Sequence, residues 1–328
     1  MNLRQILSGA GVGVLTVGLA AFSAACAPAT VQATVANGTL TVNGTVEGEK
    51  IALGLKAGAP NTVQVDAGDD GTAEFEFDRT TFGQILVLAD AGNDQIRIDQ
   101  VNGAFADETA TLDGGAGNDV IIGGDGNESL MGSAGSDSID GNRGVDRADL
   151  GSEDDSFRWD AGDGSDVVEG REGTDTMVFN GANVDENMFL DANGTRAVLV
   201  RNVGNIRMDM DGVETLNVTM REGFDNFSIG DNMFNTAMRR AHVDLSATAG
   251  GSDGTTDSVN LMGTANPDTI TVGATGTRID VAGVPVATSI TGSQIPDQLQ
   301  IAAEGPGDSI VVDPAVDALI SMLINPHV

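Results

Sequence analysis

From Gly114 onward the chain counts in nines. Five consecutive blocks read GGAGNDVII, GGDGNESLM, GSAGSDSID, GNRGVDRAD and LGSEDDSFR. After Trp159 and Asp160 the count resumes as AGDGSDVVE and GREGTDTMV. A fixed period of this length marks stacked units that bury a shared core, because one unit cannot cover its own apolar face. Position six carries Asp119, Glu128, Asp137, Asp146, Asp155, Asp166 and Asp175, and position eight carries Ile121, Leu130, Ile139, Ala148, Phe157, Val168 and Met177. Glycines at positions one, two and four (Gly114, Gly115, Gly117; Gly123, Gly124, Gly126) allow a tight turn whose carbonyls curl inward. The acid closes the turn, and the next three residues make a short strand that buries position eight. A lone upstream copy, Ala91 to Ile96, contains Asp94.

Composition supports a ligand role for these acids. The 328 residues hold 49 acidic and 16 basic side chains, a formal net charge of −33. That field repels nucleic acid and anionic lipid, so neither is a partner drawn by charge. With 40% hydrophobic residues the chain still fills a core, and 45 Gly against no Tyr and one Trp make it turn-rich and thin. Much of the acidity sits at fixed spacing in glycine turns, where metal ligands would sit.

The pattern resembles the haemolysin-type (RTX) calcium-binding repeat, G-G-x-G-x-D-x-U-x, where U is a large apolar residue. Gly114 to Ile122 fits at every specified position, and WDAGDGSD with TMVFNG strengthens the likeness. Later blocks drift: Glu128 replaces Asp, Ser133 and Asn142 replace the second Gly, and Leu150 and Glu153 replace two more. The turn of Asp155 therefore departs furthest from the pattern. The resemblance implies an all-β parallel β-roll or β-helix solenoid, two nonapeptides per coil, with calcium between stacked turns. Calcium suits such turns, taking six to eight oxygen ligands in flexible geometry. Acids one coil apart would share an ion: Asp119 with Asp137, Asp137 with Asp155, and Glu128 with Asp146. Asp146 with Asp166 and Asp155 with Asp175 would follow across the two-residue insertion. Aspartates outside the series, Asp66, Asp69 and Asp70, read as turn caps.

The flanks fix the organisation. Residues 1–26 read as a secretory signal: Arg4, an apolar stretch from Ile6 to Phe22, then small residues. Ala24-Ala25-Cys26 resembles a lipoprotein processing site with Cys26 acylated, although Ser23 stands where an aliphatic residue is usual. Cleavage after Ala33 is the alternative. Cys26 is the only cysteine, which excludes an internal disulfide. Beyond this segment no apolar run reaches the ~20 residues that span a bilayer. Residues 34–113 read as β-rich rungs, 114–180 as the tandem repeat, and 181–328 as irregular β-helix. In 181–328 the acid-then-strand theme persists at Asp225, Asp268 and Asp308. Asp313-Pro314 would start a short capping helix with Val316, Leu319, Ile320 and Leu323 on one face.

Catalytic motifs are wanting. His242 and His327 do not form His-Glu-x-x-His, and Gly250-Gly251-Ser252-Asp253-Gly254 has the letters of a nucleophile elbow without a following helix. The expected protein is an exported calcium-binding structural, surface or adhesion protein, extracellular or on the cell surface. A cell-surface glycan or protein would be its partner. A β-helical polysaccharide lyase or epimerase is the alternative.

Overall fold

The computed structural model describes residues 30–104, 107–248, 250–251, 253–303 and 305–326; the signal and Cys26 lie outside them, as do Ser252 and His327. Among the described residues two sheets of 14 strands face each other across one continuous apolar core. Among the described residues there is no α-helix, only short 3-10 turns. In the tandem run each coil contributes one strand to each sheet. Ser129–Ala134 lies parallel to both Thr109–Ala116 and Arg147–Ser152, so Leu112, Leu130 and Ala148 stack in register. On the facing sheet Ile96, Ile121, Ile139, Phe157 and Met177 form the matching row. Every position-eight residue is fully buried. The nine-residue count therefore becomes an 18-residue coil with alternate turns at opposite edges. The single tryptophan is core: Trp159 is fully buried and stacks on Phe179 at 4.1 Å between centroids.

Further on, the coils lengthen without breaking. The chain steps three strands ahead in the first sheet and returns through an antiparallel meander: Asn187–Asn193, Arg196–Arg201 and Ile206–Asp211. The same device recurs in the second sheet with Thr269–Thr275, Arg278–Ala282 and Ala287–Thr291. At the N-terminal end Gln32–Ala36 folds back antiparallel on Thr39–Thr45 and forms the last strand of that sheet.

The expected C-terminal helix is a single 3-10 turn, Pro314–Ala318. Asp313 does cap it, accepting a hydrogen bond from the Ala315 N–H at 2.9 Å. Val316 and Ile320 are buried, but the chain then extends as Ser321–Pro326 parallel to Gln298–Ala303, leaving Leu323 exposed. The physical reason is the open edge of Gln298–Ala303, whose backbone groups a strand satisfies and a helix cannot.

Close stacking of the turns rests on glycine at position four. Gly117 and Gly135 hold φ of +134° and +125°. A β-carbon on either would overlap a backbone carbonyl in the coil below, that of Gly92 under Gly117 and of Gly117 under Gly135. Gly135→Ala is expected to cost on the order of 3 kcal/mol in calcium-saturated protein, combining left-handed strain with a backbone clash. Gly58→Ala, at φ +72° with open space around it, should cost about 1–2 kcal/mol. Thermal unfolding of the two variants separates clash from strain; equal losses would contradict the stacking.

Candidate metal centre

Each turn ends on an acid whose side chain points into the roll, and the acids bond to one another's backbones. The peptide N–H of Asp119 donates to Oδ1 of Asp137 at 2.7 Å, and that of Asp137 to Oδ1 of Asp155 at 2.7 Å. Asp155 continues the row to Asp175 at 2.9 Å. At the opposite edge Glu128 donates to Asp146 at 2.7 Å, and Asp146 to Asp166 at 2.9 Å. These are the pairs expected one coil apart. Asp94 is not isolated: its N–H donates to Asp119 at 2.7 Å, and its own Oδ1 accepts from Glu49 N–H at 2.6 Å. The 25-residue interval to Asp119 disguised a coil of the same shape. The row ends where Asp175 N–H meets the Glu214 carboxylate at 2.8 Å.

A second row runs beside the first with opposite polarity. Position-five side chains accept from the next coil, as when Ser136 N–H donates to Asn118 at 3.0 Å and Val145 N–H to Asn127 at 2.9 Å. The drifted positions keep the backbone of the pattern. Ser133, Asn142 and Glu153 take φ of +78°, +57° and +83°, so tertiary stacking imposes the glycine conformation on other residues. Asp155, in the most altered turn, keeps the same bonds as its neighbours. Glu128 differs because its extra methylene lets Oε2 reach back to the Gly124 N–H at 2.8 Å. The first glycine makes room for the acid: a β-carbon at Gly114 or Gly132 would overlap Oδ2 of Asp119 or Asp137.

In six of these acids one oxygen is thus satisfied and the other is not. The eight acids from Asp94 to Asp175 are at most 5% exposed. Oδ2 of Asp94, Asp119, Asp137, Asp146, Asp155 and Asp175 has no hydrogen-bond partner, although it is buried. Buried polar atoms are nearly always paired, so six such oxygens at one register position need an explanation. Burial pushes the carboxyls upward, against the partial relief of the backbone bond: Asp137 to about 6, Asp94, Asp155, Asp166 and Asp175 to about 7, Asp146 to about 9. Asp119 and Glu128 rise for the same reason. No three acid, His or Cys side chains converge among the described residues. A cation here would need backbone carbonyls beside one or two carboxylates, a donor set of oxygens only, which suits calcium.

Residues 109–132, 122–157 and 160–183 match the family model of the RTX calcium-binding nonapeptide repeat, in 4 copies. Residues 109–183 carry RTX calcium-binding repeats. The RTX match spans the tandem run except residues 158 and 159, and leaves out Asp94 and Glu214 at the ends of the row. No curated protein matches the chain. The turn aspartates outside the RTX rows behave as expected for Asp66 and Asp70, which accept from Gly71 N–H at 2.7 Å and Thr72 N–H at 2.9 Å. Asp69 is instead held by Arg97, with 2.8 Å from Nε to Oδ2. Sequence reasoning missed Glu49, Glu186, Glu214, Asp257 and Asp297 as members of the stacks. For the last two, an acid two residues before a buried strand residue, Val259 or Leu299, was the available signal.

Proposed function

We propose that the protein is exported and serves outside the cell as a calcium-dependent structural or adhesive element. The observation that carries this is the pair of buried carboxylate rows with partnerless Oδ2 atoms. Ionised, such rows repel themselves; a divalent ion held by the carboxylates of Asp94, Asp119, Glu128, Asp137, Asp146, Asp155, Asp166 and Asp175 with turn carbonyls offsets that repulsion. Oxygen sites of this kind match the calcium levels outside cells, so folding would follow export. No helix among the described residues is long and apolar enough to cross a membrane. The N-terminal leader supports export, and Cys26 supports tethering by a lipid anchor.

Mass spectrometry of the protein made in its own host tests this. The expected product is acylated at Cys26, fractionates with membranes, and is released by Cys26→Ala. A mature chain beginning at Thr34 would exclude the anchor, and an uncleaved cytoplasmic chain would overturn export. Binding to cell-wall glycans without turnover is expected; cleavage or epimerisation of a polysaccharide would favour the enzymatic alternative.

A further inference from the structure

Beyond the RTX match, the turns entering the first sheet carry another row of stacked acids. Glu186, Asp225, Asp257 and Asp297 occupy successive coils, with exposures of 0%, 1%, 0% and 0%. Glu186 N–H donates to Oδ1 of Asp225 at 2.8 Å, Asp225 N–H to Asp257 at 3.0 Å, and Asp257 N–H to Asp297 at 3.1 Å. The intervals are 39, 32 and 40 residues, so the nonapeptide pattern cannot register them. Yet Asp225 closes a turn of the same build. Gly223 sits at position four with φ +141° against the Val184 carbonyl, and Phe224 N–H donates to Asp185 at 3.0 Å.

The two ends of this row are compensated by protein. Glu186 is ion-paired with the buried Arg201 and accepts from Ala182 N–H at 3.0 Å. Oδ2 of Asp297 accepts from Gln294 N–H at 2.9 Å. The middle pair is different: Oδ2 of Asp225 and of Asp257 is buried with no partner. Neither carboxylate is ion-paired with Lys, Arg or His among the described residues. Two buried anionic oxygens on adjacent coils, between neighbours whose second oxygens do have protein partners, mark a place where the protein does not complete its own charge balance.

We propose that Asp225 and Asp257 form a further divalent-cation site of the calcium type, outside the RTX repeats. It rests on the reading that stacked carboxylates in this roll bind calcium. The all-oxygen surroundings favour calcium over zinc.

Asn keeps the Oδ1 acceptor of each residue and removes its charge, so Asp225→Asn/Asp257→Asn tests the ion and not the hydrogen bond. Equilibrium dialysis of the full chain against calcium is expected to show at least one ion fewer per chain than wild type, with the RTX ions retained. Wild type that binds no calcium would overturn the proposed function itself. Wild type that binds calcium, with an unchanged count in the double variant, would overturn this inference alone. A second variant covers failure of the first to fold. Phe224 is exposed, and Phe224→Trp places an indole beside Asp225. Terbium emission excited through tryptophan should rise severalfold over wild type; emission equal to that from Trp159 alone would refute the site.

Discussion

Freed of divalent ions, the protein is expected to be more stable at pH 5 than at pH 8, and calcium should reverse that order. The carboxyls of Asp94, Asp137, Asp155, Asp166 and Asp175 titrate at about 6 to 7 in the fold, and Asp146 at about 9, against 3.8 when unperturbed. Between those values the folded chain holds more protons than the unfolded chain. Stability therefore falls as pH rises. The contribution is full below about 3.8 and lost through pH 6 to 9 as each group ionises in place. Acids held low by arginine, such as Asp69 and Asp209, lose their contribution only below about pH 4, outside this window. Calcium binds the ionised carboxylates and displaces protons, so its stabilisation grows with pH. Thermal unfolding at both pH values, in metal-free buffer and in millimolar calcium, gives the result directly. The same order of stability in both buffers would contradict the account.

Asp137→Asn is expected to remove about two calcium ions per chain, because its carboxylate lies between those of Asp119 and Asp155. Asparagine preserves the acceptor for Asp119 N–H, so a loss of ions would reflect lost charge. Asp94→Asn should behave alike, since Asp94 stacks between Glu49 and Asp119 and is not a solitary turn. Asp70→Asn is the control: this exposed aspartate receives the Thr72 N–H, and its change should cost about 1 kcal/mol or less with no effect on calcium. Calorimetric stoichiometry distinguishes them. A full complement of ions in Asp137→Asn would reduce the rows to hydrogen-bonding devices.

The tandem run was legible because its signal is periodic. Ile121, Ile139 and Phe157 recur at a spacing that only stacked turn-strand units satisfy, and Asp119, Asp137 and Asp155 recur with them. The strands outside it, such as Thr215–Thr219 and Asn226–Ile229, were legible from alternation. Their partners were not. The meander through Asn187–Asn193, Arg196–Arg201 and Ile206–Asp211 places Asp225 on Glu186 across 39 residues, and no local pattern encodes that step. Loss of glycine also misled. Glu153 made the Asp155 turn look weakest, yet its backbone follows the pattern at φ +83° because the coils above and below fix it. The C-terminal residues carried a helix start in Asp313-Pro314, but the exposed edge of Gln298–Ala303 selected a strand. In both places local preference yielded to the neighbouring coil.

The central claim is that calcium is part of the fold, and far-UV circular dichroism during a calcium titration at neutral pH tests it most directly. In chelator the protein should show little β-structure, then gain it cooperatively at about 10⁻⁴ to 10⁻³ M calcium. A β spectrum that is already complete in chelator, and unchanged on adding calcium, would contradict it.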